Sequence, residues 1–97
     1  MEVKWSKPAL HQLDKALDFI IENGFISYAA ELEESIISRI DNLIDNYTIY
    51  PSDKYKKDND GSYRAFEKYH YRITYRASKN VIRILWVRHT SREAKLY

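Results

Sequence analysis

A group of side chains late in the sequence has the types and spacing for phosphodiester chemistry. Cleaving RNA without a metal takes a group that deprotonates or steers the 2′-hydroxyl. It also takes cations on the phosphate and an acid for the leaving oxygen. Arg72 lies on the basic side of the alternating run Tyr69 to Arg76. A guanidinium suits a phosphate and stays charged at any relevant pH; the alternative is a salt bridge to a helix carboxylate. His89 follows the last apolar run and belongs to the residue type that titrates nearest neutrality; a structural or surface role is the alternative. Arg92, three residues on, can join the same cationic pocket. Glu67 is the only carboxylate among the late strands and reads either as a base or as the partner of a neighbouring Arg or Lys. His11 and His70 read as incidental, and Lys54, Lys56 and Lys57 as ordinary loop lysines. There is no metal-ligand spacing, phosphate-cradling glycine loop or nucleophile elbow. The chain has no cysteine, so thiolate chemistry is excluded. No cofactor and no metal are expected.

Local sequence signals predict the elements that must hold these groups. Glu2 to Trp5 is extended in character. Ser6, Lys7 and Pro8 read as an N-cap with proline in the first turn. Leu10, Leu13, Leu17, Ile20 and Ile21 then recur at helical spacing, and Asn23-Gly24 is a stop. A second helix is predicted from near Ser27 to Tyr50-Pro51. Its stripe is Ala29, Leu32, Ile36, Ile40, Leu43 and Tyr47, widened by Ile37 and Ile44, with Glu31, Glu33 and Glu34 in its early turns. The short link implies an antiparallel helical hairpin. Residues 51–61, PSDKYKKDNDG, read as a loop.

From Ser62 the period changes to two. Strands are predicted over Tyr63 to Phe66, Tyr69 to Arg76 and Val81 to Val87, the last nearly all apolar and so central. Ser78-Lys79-Asn80 is a tight turn. Tyr71 and Tyr75 are expected beneath the helices. The fold class is α+β, ordered β-α-α-β-β-β, with the helical hairpin on one face of a small, mainly antiparallel sheet. The other face is expected to be polar and basic.

At 97 residues the chain is expected to form a single domain over 1–97. Hydrophobic residues make up 44% and charged ones 31%, which excludes a disordered chain. Residues 1–61 carry 7 Lys and Arg against 12 Asp and Glu, and residues 62–97 carry 9 against 2. That split suggests a half facing a polyanion and a half with another task. No apolar run nears the ~20 residues of a membrane helix, and MEVKWSKPAL lacks the apolar stretch of a secretory signal. A cytoplasmic protein with no membrane partner is expected.

The carboxy-terminal string resembles the last three strands of the RelE/ParE toxin superfamily. The landmarks are Gly61-x-Tyr63-Arg64, the Tyr71-Arg72-Ile73-x-Tyr75 strand, and an apolar strand closing in Val87-x-His89-x-x-Arg92. The helical hairpin fits too. The resemblance implies a toxin encoded with an antitoxin whose flexible segment wraps it. RelE-like members cleave mRNA on the ribosome and ParE-like members inhibit DNA gyrase; the fold does not choose between them. By the same resemblance Arg72 matches a phosphate-binding arginine, and Arg64 falls near a lysine proposed to act in catalysis. His89 lies where many members place a basic or acid-base residue. Tyr97 resembles a terminal tyrosine that stacks on a base or assists the chemistry in some RelE-like members. A second family lysine would fall near Phe66, where this chain departs, and Tyr97 follows the last strand by about one residue too many. The implied function is a ribosome-dependent mRNA endonuclease acting through Arg64, Arg72, His89, Arg92 and Tyr97, neutralised by a cognate antitoxin. The alternatives are a gyrase inhibitor and an inactive antitoxin-binding member. The antitoxin is expected on the acidic helical half or as an anionic segment over the basic sheet. RNA cleavage requires the five side chains to converge in one cationic hollow.

Overall fold

The computed structural model describes residues 1–97. Strand β1 (Glu2–Trp5) leads into helices α1 (Lys7–Glu22) and α2 (Ile26–Leu43), and strands β2 (Tyr63–Lys68), β3 (Tyr71–Ser78) and β4 (Val81–His89) follow. The strand order is β1-β4-β3-β2. β2, β3 and β4 form an antiparallel meander, and β1 joins β4 in parallel. The α+β order agrees with the sequence expectation.

Ser6 caps α1 by accepting the Ala9 N–H (3.1 Å). Gly24, at φ +87°, closes it, with Phe25 N–H donated to Ile20 (3.1 Å) and Gly24 N–H to Ile21 (2.9 Å). A left-handed residue at this point satisfies the last carbonyls. α1 buries Ala9, Leu13, Leu17 and Ile20. α2 buries Ala29, Leu32, Ile36, Ile40 and Leu43. Leu10, Ile21, Ile37, Ile44 and Tyr47, counted above among the apolar stripes, are exposed. The stripe predicted for α2 also ran too far, because the helix stops at Leu43. The chain then turns so that Tyr47 O can accept the Tyr75 hydroxyl (2.7 Å). Its glutamates begin in the second turn, beyond the reach of the helix dipole.

The strands also differ from expectation in two places. Tyr69 is not in β3. Tyr69 and His70 form the two-residue turn between β2 and β3, with φ of 48° and 69°. Lys79 and Asn80 do the same between β3 and β4, at 52° and 62°. Positive φ at both turn positions matches the twist of a hairpin, and the usual Asn-Gly signal is absent from the first. β4 carries a bulge: Thr74 pairs with Trp86 but Tyr75 with Ile84, leaving Leu85 extra. Ile82 and Ile84 face the helices before the bulge, and Val87 and His89 face them after it. β4 is therefore central without being apolar on both faces.

Ser6 donates its hydroxyl to the bulged Leu85 carbonyl (2.8 Å). The Val87 N–H, just past the bulge, is accepted by Gln12 of α1 (2.7 Å). Two side chains of the α1 segment thus satisfy backbone groups around the bulge. Unpaired, such groups are costly when buried.

Candidate functional site

The sheet face away from the helices presents Glu67 from β2, Arg72, Thr74 and Arg76 from β3, and Trp86 and Arg88 from β4. It is not simply solvated. Residues 53–60 and the tail fold over it and bring Tyr55 and Tyr97 with them. Arg72 lies over the Tyr55 ring (5.0 Å) and Arg76 over Tyr63 (4.7 Å), and Tyr97 meets Trp86 edge-on (4.9 Å). Cations over aromatic faces hold such a layer together.

Asp53 organises this face. Only 3% of it is exposed. It accepts from Arg72 Nη2 (2.8 Å), the Tyr97 hydroxyl (2.5 Å) and the Tyr55 N–H (3.1 Å). Burial pushes its carboxyl up, but the bonds from Tyr97 and Arg72 outweigh burial and hold it below the ordinary value. Glu67 takes the other fork of the guanidinium (3.0 Å), and Arg72 Nε is buried with no partner. Burial alone would lower the Arg72 pKa; its two carboxylates raise it instead. Burial and Asp53 both push the Tyr97 hydroxyl up, so it stays protonated and donates. The tail is also pinned through its backbone: Tyr97 N–H is donated to Tyr55 (3.0 Å), and Lys57 N–H to Tyr97 (2.7 Å).

The five expected site residues do not converge in one pocket, although Arg72, His89 and Arg92 all border a shallow hollow at the strand ends. Arg72 and Tyr97 meet through Asp53 on the open face. His89 pairs with Tyr71 across the strands, packs edge-on against its ring (5.0 Å), and so lies on the helix face. Arg92 joins His89 there, in a hollow against α1. Arg64, opposite Tyr75, also lies on the helix side, donating to the Tyr50 carbonyl (2.7 Å) in the α2–β2 connection. Adjacent residues of a strand point to opposite faces, which parts Arg72 from the Tyr71–His89 pair. The salt bridge foreseen for Arg72 exists, but its partners are a loop aspartate and Glu67 rather than a helix carboxylate. Glu67 takes the ion-pair role open to it in the sequence.

Asp53, Trp86 and Arg88 did not stand out in the sequence. The bulge reverses the facing of Trp86 and Arg88, and no residue pattern announces it. Asp53 sits in a polar loop where a buried carboxylate looks like any solvated one.

A family model described as the ParE toxin of the type II toxin-antitoxin system parDE matches residues 3–94. Among solved structures, the chain is similar in fold to a chain of the chromosomal ParDE TA system from P. aeruginosa, with a TM-score of 0.70 and 18% identity. That match covers 92% of this chain and 95% of the other. No curated protein matches the chain. The match across nearly all of the sequence, on the hairpin-over-sheet fold just described, shows that the chain belongs to the ParE toxin family of type II toxin-antitoxin systems, within the RelE/ParE superfamily.

Proposed function

We propose that this toxin acts by binding DNA gyrase and that its cognate antitoxin relieves the inhibition. One observation carries the reading: both forks of Arg72 are engaged, by Asp53 and Glu67, with His89 across the sheet from them. The cleavage reading needs Arg72 free and on the same phosphate as His89. Two carboxylates hold both forks of that guanidinium and compete with a phosphate for it. The Tyr97 hydroxyl, its pKa raised by burial and by Asp53, is a poor base. ParE family membership supports the same reading, since ParE-like members of the superfamily are gyrase inhibitors.

Cleavage of mRNA on the ribosome is the second reading. It is favoured by a shallow hollow of about 350 Å³ at the strand ends, bordered by Arg72, Arg88, His89 and Arg92. A supercoiling assay with purified gyrase and relaxed plasmid tests the two. The chain should inhibit supercoiling, added antitoxin should restore it, and mapped RNA ends in arrested cells should be unchanged. Intact supercoiling with newly cut messages would reverse the order of the readings. Neither effect, with tight antitoxin binding retained, would indicate an inactive member.

A further inference from the structure

α1 separates two hollows of opposite character. One flank, with α2, carries Asp14, Asp18, Glu33, Glu34 and Asp41 and no basic residue. The other flank faces the end of β4 across a hollow of about 660 Å³, lined by His11, Lys15, His89 and Arg92 and by no carboxylate. Neither Lys15 nor Arg92 forms an ion pair within the chain.

Two fixed orientations turn this second hollow into a set of donors. Gln12 spends its side-chain oxygen on the Val87 N–H (2.7 Å), so its amide NH₂ is left over. His89 Nδ1 accepts the Ser91 N–H (3.1 Å), so the neutral ring carries its proton on Nε2, which has no partner in the chain. Lys15, Arg92, Gln12 and His89 therefore offer N–H groups to one space and no charged acceptor. Tyr71 and Val87 form the apolar floor, and the Phe19 ring, 64% exposed, stands at the side.

We propose that this hollow binds a nucleotide unit, its phosphate on Lys15, Arg92, Gln12 and His89 and its base stacked on Phe19. Mixed N–H donors around an apolar floor suit a phosphate, and an exposed aromatic ring beside cations suits a base. The hollow has the volume of a small-ligand site. An extended acidic peptide fits less well. β1 covers β4 only over Val81 to Ile84, and on the edge beyond it the Leu85 carbonyl and the Val87 N–H are already taken by Ser6 and Gln12. The acidic flank of α1 repels a polyanion and confines it to the basic side. The ligand is either a free nucleotide or part of a single strand.

Binding is read on the isolated full chain with no gyrase present, so its failure and that of the gyrase reading are distinguishable. The probe is fluorescein-labelled oligo(dT) followed by anisotropy, with AMP, pyrophosphate and poly-glutamate as competitors. Gln12→Glu keeps an acceptor for Val87 but places a carboxylate in the hollow. It should cut affinity about tenfold or more with an unchanged circular dichroism spectrum. Lys15→Ala and Arg92→Ala should each lower the salt slope by about one, while Lys54→Ala should not. Phe19→Ala should weaken oligo(dT) about tenfold and leave pyrophosphate competition unchanged. Competition by AMP at a similar concentration per nucleotide assigns the site to free nucleotides; competition by oligo(dT) alone assigns it to a strand. Absence of binding, binding indifferent to Gln12→Glu, or poly-glutamate competing with the same sensitivity to Phe19→Ala overturns the proposal.

Discussion

Asp53 shows how one buried carboxylate can decide the character of a surface. It turns Arg72 from a free cation into the centre of an ion-paired latch and fixes the tail through Tyr97. Removing one partner leaves the other charge uncompensated, which is costly in a buried setting. Asp53→Asn should destabilise the chain by roughly 3 kcal/mol, read as a lower urea midpoint. Its effect should overlap with that of Arg72→Met in a double-mutant cycle. The pH dependence follows from the lowered pKa of Asp53. A depressed native pKa gives stability that is present above the unfolded value and lost as pH falls through the native one. The gap between wild type and Asp53→Asn should therefore be full at neutral pH and shrink on acidification below the ordinary carboxylate range. A gap that persists at low pH would mean that the carboxylate charge is not what stabilises the latch.

Among the elements, α1 and β4 are tied by side chains that each do two things. Ser6 accepts the Ala9 N–H as helix cap and donates to the bulged Leu85 carbonyl. Ser6→Ala should cost about 1–2 kcal/mol, above a cap alone, because a strand carbonyl is orphaned as well; thermal melts check this. The Lys79-Asn80 turn holds two residues at positive φ. Replacing them with Asn-Gly should stabilise by roughly 0.5–1 kcal/mol. Much at this scale was legible in the sequence: the Ser6 cap, the Gly24 stop, the core stripes and the alternation of β3. Local preference and packing agree in those places. The Tyr69-His70 turn was not, because tyrosine disfavours the left-handed region that histidine more readily tolerates; the partners around it hold it there. Tyr28 donates its hydroxyl to the Tyr69 carbonyl (3.1 Å), and Thr90 donates its N–H to His70 (2.7 Å). The candidate site was legible only as a list of residue types. Whether Arg72 and His89 share a face depends on a register shift, and whether Arg72 is free depends on a loop carboxylate; both arise from contacts between distant segments.

Across the whole molecule, the charge asymmetry of the sequence becomes a spatial one. The acidic half supplies the α1–α2 groove, and the basic half supplies the sheet and the strand ends. The open face is less cationic than its arginines suggest, because Asp53 and Glu67 are folded into it. Around Lys15 and Arg92, by contrast, unpaired positive charge stands in a hollow without a carboxylate. A polyanion should approach from that side, faster at low ionic strength. Reversing Lys15 to Glu should slow association more than it speeds release, measurable by stopped-flow.

The extra residue at Leu85 has a consequence for descent and for engineering. It sets the phase of everything after it in β4. Deleting this one residue would leave every later side chain on its present face, because Trp86 would then follow Ile84 directly in the pairing that Thr74 and Tyr75 already impose. Straightening the strand with Leu85 kept would instead turn Trp86 and Arg88 toward α1, and Val87 and His89 toward the tail. Relatives that lack the extra residue would thus align in space only with a one-residue gap at position 85.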